Sequence, residues 1–152
     1  MRGQSPPVMH EPLDPLEPKD GFATLVDYRL TVWEPDRAEV ELTVEAKHRN
    51  RSGRLHGGVV TTLIDAASGL AGTYCAVPGN VRRALTLSLT TQFVGAGAVG
   101  MHLVAEARKV GGGRQIFFTQ CEVRDRDGHL VGKGEGVFRY RSTSATPEGE
   151  PI

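Results

Sequence analysis

The chain has 152 residues, with 18 lysines and arginines balanced by 18 aspartates and glutamates for a net charge of zero. At roughly 100–200 residues per domain that length holds one domain and no second catalytic module. The balanced charge argues against a nucleic-acid binder, which needs a basic face to displace phosphate counterions. Glycine stands at 19 residues, well above the usual share of about 7%. That excess disfavours an all-helical fold, because glycine weakens helices and serves turns and close backbone approaches.

Residues 1–21 carry Pro6, Pro7, Pro12, Pro15 and Pro18 among mixed charges, a composition that predicts a mobile N-terminal arm. The arm shows no apolar signal core, and no uncharged stretch reads as a membrane span, so a cytoplasmic protein without membrane contacts is expected. From Leu25 to Trp33 the chain is rich in β-formers, and Val40–Ala46 alternates apolar and polar residues. With a turn over Glu34–Arg37 the two make a hairpin. A helix is predicted from His56 to Cys75, where Val59, Val60, Leu63, Ile64, Ala67, Leu70, Ala71 and Tyr74 recur at three- and four-residue steps. Apolar nearly all round, it belongs in a core, and Pro78 and Gly79 stop it.

Four further strands are predicted at Leu85–Thr90, Met101–Lys109, Gln115–Val123 and Leu130–Tyr140. Their separators, Gly95–Gly100, Gly111–Arg114 and Asp125–Gly128, are short enough for an antiparallel meander or a close relative. Residues 142–152 are expected to be a disordered tail. The globular unit is then 22–141: an α+β domain in which about six antiparallel strands wrap one central helix.

Little in the chain suggests metal or thiol chemistry. Cys75 and Cys121 form no CxxC or Cys/His ligand spacing, so neither a zinc site nor a disulfide is expected. Ser68 lies in no GxSxG, and the five histidines show no metal-binding spacing. Gly95–Gly100 matches GxGxxG literally, but a strand-like segment follows where a dinucleotide fingerprint needs a helix.

One acid stands apart. Between Arg54 and Arg82 the only formal charge is Asp65, about two turns into the apolar helix, where an unpaired carboxylate is costly to desolvate. Upstream, His56-Gly57-Gly58 opens the helix, leaving its first amide N–H groups bare for an oxygen gaining negative charge. Gly57 and Asp65 are eight positions apart, about 12 Å of helical rise. A base and an oxyanion donor must both reach one carbonyl, so one chain cannot readily supply both. Two antiparallel copies of the helix about a twofold axis could, which places any hydrolytic site at a dimer interface.

Asn50, then His56-Gly57-Gly58, then Asp65-Ala66-Ala67-Ser68-Gly69 resembles the signature of hotdog-fold acyl-CoA thioesterases of the PaaI (phenylacetate-pathway) type, over about residues 22–140. The resemblance implies a hotdog fold, dimers with a continuous sheet and often homotetramers. It implies hydrolysis of an acyl- or aryl-CoA without a metal or separate cofactor, coenzyme A being part of the substrate. By the same resemblance Gly57 donates its N–H to the thioester carbonyl, and Asp65 of the partner subunit activates water or attacks directly. Asn50 orients water or carbonyl, and His56 holds the loop. Thr86 occupies the place of a Ser or Thr that assists the carboxylate, although an ordinary surface strand residue fits there too. The CoA phosphates map near Gly112, Gly113 and Arg114, with Lys109 and Arg108 beside them and Gly58 at the helix start. The alternatives are a non-catalytic acyl-CoA binder using the same groove and, below it, a hotdog dehydratase or hydratase.

Overall fold

The computed structural model describes residues 21–152, so the expected N-terminal arm lies outside the described residues except for Gly21. In chain order the elements are α1 (Phe22–Val26), β1 (Arg29–Glu34), β2 (Arg37–Thr43), α2 (Gly57–Gly72), β3 (Asn80–Val81), β4 (Ala84–Phe93), β5 (His102–Gly112), β6 (Ile116–Asp125), β7 (Leu130–Tyr140) and β8 (Glu150–Pro151). Six strands form one antiparallel sheet in the order β1-β2-β5-β6-β7-β4, and α2 packs in its concave face. No helix among the described residues is long and apolar enough to cross a membrane.

Two periodicities meet in the core. Ala38, Val40 and Leu42 of β2 and Leu103, Ala105 and Ala107 of β5 are buried at every second position. They face Val60, Leu63, Ile64, Ala67 and Ala71 of α2, at helical spacing. Register shifts near Thr86–Ser88, Lys109–Gly111 and Val123–Arg124 are bulges of the kind that bend a sheet. Glycines let the helix sink onto the strand beneath it. A Cβ on Gly132 would stand 2.6 Å from Val60 Cγ1, and one on Gly134 would stand 2.9 Å from Ile64 Cγ2. Part of the glycine excess is therefore clearance for α2.

Four features differ from the sequence expectation. Leu25 and Val26 lie in a short helix, α1, ended by Asp27 in the left-handed region at φ 69°. Helix α2 stops at Gly72 rather than Cys75, because other groups take its last carbonyls: Trp33 Nε1 donates to Leu70 O at 2.8 Å and the Tyr140 hydroxyl to Gly72 O at 2.6 Å.

The last four strands are not a simple meander. Strand β4 sits outside β7, so Val94–Met101 crosses the end of the sheet to reach β5, with Leu55 N–H donating to Gly97 O at 3.0 Å. A side chain on Gly97 would stand 2.6 Å from Leu55, so this glycine run serves a close crossing rather than a hairpin.

Finally, residues 142–152 are docked rather than disordered. Strand β8 pairs with β3, and Ser144 is fully buried. The Ser144 hydroxyl donates to Glu150 and accepts Arg83 N–H at 2.9 Å, while Arg82 Nε donates to Ser144 O at 3.1 Å. These contacts are long-range and specific, which composition cannot register.

Candidate active site

The loop before α2 is tied down by its own polar groups. Asn50 Oδ1 accepts Ser52 N–H at 2.9 Å and Arg54 N–H at 3.1 Å, and the Asn50 backbone pairs with Arg54 and Gly53. Its carboxamide oxygen is therefore committed to the loop. His56 is the N-cap of α2. Its N–H donates to His48 O at 2.8 Å, and its Nδ1 accepts Gly58 N–H at 2.8 Å.

That cap consumes the Gly58 amide. Gly57, the first residue of the helix, has no intrahelical acceptor for its N–H, and no other acceptor takes it among the described residues. It is a donor at the positive end of a 16-residue helix. A Cβ on Gly57 would stand 3.0 Å from Phe93 Cε1, so an exposed aromatic ring lies directly against it.

Asp65 sits half-buried two turns further along α2. The Thr86 hydroxyl at the start of β4 donates to its Oδ1 at 2.7 Å. No cation pairs with Asp65 among the described residues. One oxygen is thus held in place and the other is left to accept a proton from water or to attack an electrophile.

The structure brings Asp65 to Thr86 and His56 to Gly58, but it does not bring Gly57 to Asp65. They lie on one unbroken helix, about 12 Å apart along its axis. Phe93, at the far end of β4 from Thr86, is a neighbour of Gly57 that the sequence reading passed over. Its signal was slight: Leu89, Thr91 and Phe93 share one face of β4, opposite Gly136, Gly134 and Gly132.

The candidate phosphate region is the β5–β6 hairpin. Gly112 takes φ 133° and packs on Ile116 and Phe117, where any side chain would clash, and Gly113 N–H donates to Ile116 O at 2.8 Å. Lys109 turns toward Asp36 at 3.9 Å. Arg114 instead lines a cleft of about 350 Å³ with Gln115, Arg139, Tyr140, Ser142 and Ala145. Neither Arg114 nor Arg139 has a carboxylate partner among the described residues. The register Gly112–Phe117–Phe138–Thr86 places the hairpin three strands from Thr86, about 14 Å across the sheet.

Other reactive groups are spent elsewhere. Burial pushes the Cys121 thiol up to about 12, and Ser68 is fully buried, so neither is a free nucleophile. Asp125, Asp127 and His129 cluster in the β6–β7 turn, where Asp125 accepts the amides of Asp127 and His129.

The sequence model of the thioesterase superfamily matches residues 52–132, from the loop before α2 into β7. The chain belongs to the thioesterase superfamily. It is similar to acyl-coenzyme A thioesterase 13 of Mus musculus, 27% identical over 101 residues that cover 66% of this chain and 70% of the relative. Among solved structures, a conserved protein of Pseudomonas aeruginosa superposes with a TM-score of 0.70 at 31% identity, covering 80% of this chain and 94% of the other. The phenylacetic acid degradation protein PaaI of Thermus thermophilus, solved as a point mutant, superposes with a TM-score of 0.69 at 26% identity, covering 79% and 98%. The architecture is that of the hotdog fold, and the superfamily chemistry is thioester hydrolysis.

Proposed function

We propose that this protein hydrolyses an acyl- or aryl-CoA to free CoA and a carboxylic acid at a site shared by two copies of the chain. The observation that carries this is the fixed carboxylate of Asp65, held by Thr86 at 2.7 Å, on the same helix as the free Gly57 amide but out of its reach. In a twofold pair with antiparallel α2 helices, the carbonyl accepts from Gly57 of one chain, and Asp65 of the partner subunit serves as base or nucleophile. Thiolate is a good leaving group, so polarisation and an activated water suffice. Edge strand β4 supports such a pairing. Among the described residues it bonds only to β7, and Leu85 and Leu87 on it are more than half exposed, an edge that invites a partner strand.

Arg114, with Arg139 beside it, suits the CoA phosphates, since guanidinium groups hold phosphate oxygens in pairs. Gly112 and Gly113 let backbone approach the ligand. Lys109, turned to Asp36, stands beside the hairpin, and Asn50 and His56 shape the loop that presents Gly57. Coenzyme A enters and leaves as part of the substrate.

The test uses thiol release from a panel of CoA esters. Asp65→Asn should lower turnover at least about a hundredfold. Gly57→Pro removes the amide proton at the one helical position where proline is well tolerated, and it too should be inactive. Co-expressed in equal amounts, the two inactive chains should recover about a quarter of wild-type activity, because half of the dimers are mixed and each mixed dimer holds one whole site. No recovery would refute a shared site. CoA esters bound tightly by the wild type with no thiol released would favour the binding protein instead.

A further inference from the structure

Phe93 is an odd residue to leave uncovered. Phe93 is 62% exposed at the end of β4, yet one edge of its ring lies against the start of α2. The Phe93 Cε1 and Cζ atoms lie 3.0 Å and 3.4 Å from the point where a Gly57 side chain would begin. Gly57 has no left-handed φ that would call for glycine. What the glycine provides is room beside the ring. Any carbonyl oxygen seated on the Gly57 N–H therefore brings one of its substituents against an apolar wall.

The two substituents of a thioester carbonyl are the acyl body and the sulfur. The arginine-lined cleft that suits CoA phosphates lies at the hairpin end of the sheet, beyond Thr86, whereas Phe93 ends β4 at the opposite end. In a twofold pair the CoA arm runs from the carbonyl over Thr86 of the partner subunit, and the acyl body points away from it. We propose that Phe93 forms the acyl-side wall of the site and selects acyl groups with an apolar body, a ring or a chain of about six carbons, over acetyl. This rests on the hydrolytic reading above.

The experiment compares kcat/KM for hexanoyl-CoA and acetyl-CoA in the wild type, Phe93→Ala and Phe93→Leu, with calorimetric binding of both esters to each protein on an Asp65→Asn background. Contact with about two methylene groups is at stake, so the hexanoyl-to-acetyl ratio should fall about tenfold in Phe93→Ala and recover most of that in Phe93→Leu. The same change should appear in the binding ratio. A ratio unmoved in Phe93→Ala, by turnover and by binding, overturns the proposal. Absence of thiol release from the wild type would overturn hydrolysis alone, since the binding ratio still reports on the wall.

Discussion

Removing the Thr86 hydroxyl while keeping its shape isolates one hydrogen bond. Thr86→Val deletes the donor that holds Asp65 Oδ1 at 2.7 Å and leaves a β-branched side chain of equal bulk, well suited to a strand. A hydrogen bond to a charged acceptor contributes about 1.5–3 kcal/mol. Thr86 is exposed in the single chain, where water competes, so the lower end applies and kcat should fall roughly tenfold. Thr86→Ser, which restores the hydroxyl, should return most of the rate. Because Thr86 acts through Asp65, its removal should cost little further once the carboxylate is gone, so Thr86→Val with Asp65→Asn should match Asp65→Asn alone. Steady-state kinetics on the most rapidly turned-over CoA ester supply all five rates. Wild-type kcat in Thr86→Val, or a full tenfold loss persisting on the Asp65→Asn background, would refute the positioning role.

Two further outcomes concern the frame around the site. A Cβ on Gly72 would stand 2.1 Å from Phe117, which is fully buried and stacked on Phe138 at 5.0 Å between ring centroids. Gly72→Ala should therefore destabilise the fold by about 1–3 kcal/mol in urea titration, and an unchanged midpoint would show that Phe117 yields freely. The Thr143 and Ser144 hydroxyls, with Arg83, hold the Glu150 carboxyl at about 2, below its ordinary value. A folded-state value below the unfolded one adds stability above roughly pH 4.3, which is lost as the pH falls toward 2. NMR signals of residues 142–152 should accordingly report release of the C-terminal strap across that window, and Glu150→Gln should speed its trimming by carboxypeptidase at neutral pH. Equal trimming rates would show that the other contacts suffice.

Local periodicity made most of the elements legible. Alternation through Ala38, Val40 and Leu42 and the three- and four-step recurrence through Val60, Leu63, Ile64 and Ala67 mark a strand and a helix whose buried faces the structure shows. What escaped was pairing. Nothing in the Leu85–Thr90 pattern tells whether β4 lies beside β5 or outside β7, because either neighbour buries the same residues. A clue existed in Gly132 and Gly134, two glycines on one strand face, which mark where Val60 and Ile64 of the helix press close. Residues 142–152 read as disordered because their order rests on a few polar contacts, Ser144 and Glu150 with Arg82 and Arg83, not on apolar periodicity.

The site shows the same division. Asp65 is conspicuous in sequence as a lone charge in an uncharged stretch, and Gly57 as the amide at the start of a helix, since both signals are local. Their relation is also local: eight residues of unbroken helix fix a separation that no side-chain rotamer spans, which is why the proposed site calls for a second copy. Phe93 is different, because its position beside Gly57 depends on β4 running antiparallel to α2 and ending where the helix begins. The polar residues thus announce themselves by being out of place, whereas an aromatic on a β-strand looks ordinary until the backbone beside it is seen to lack a side chain. A glycine opening a helix without a left-handed φ asks what occupies the vacated space, and here the answer is the Phe93 ring.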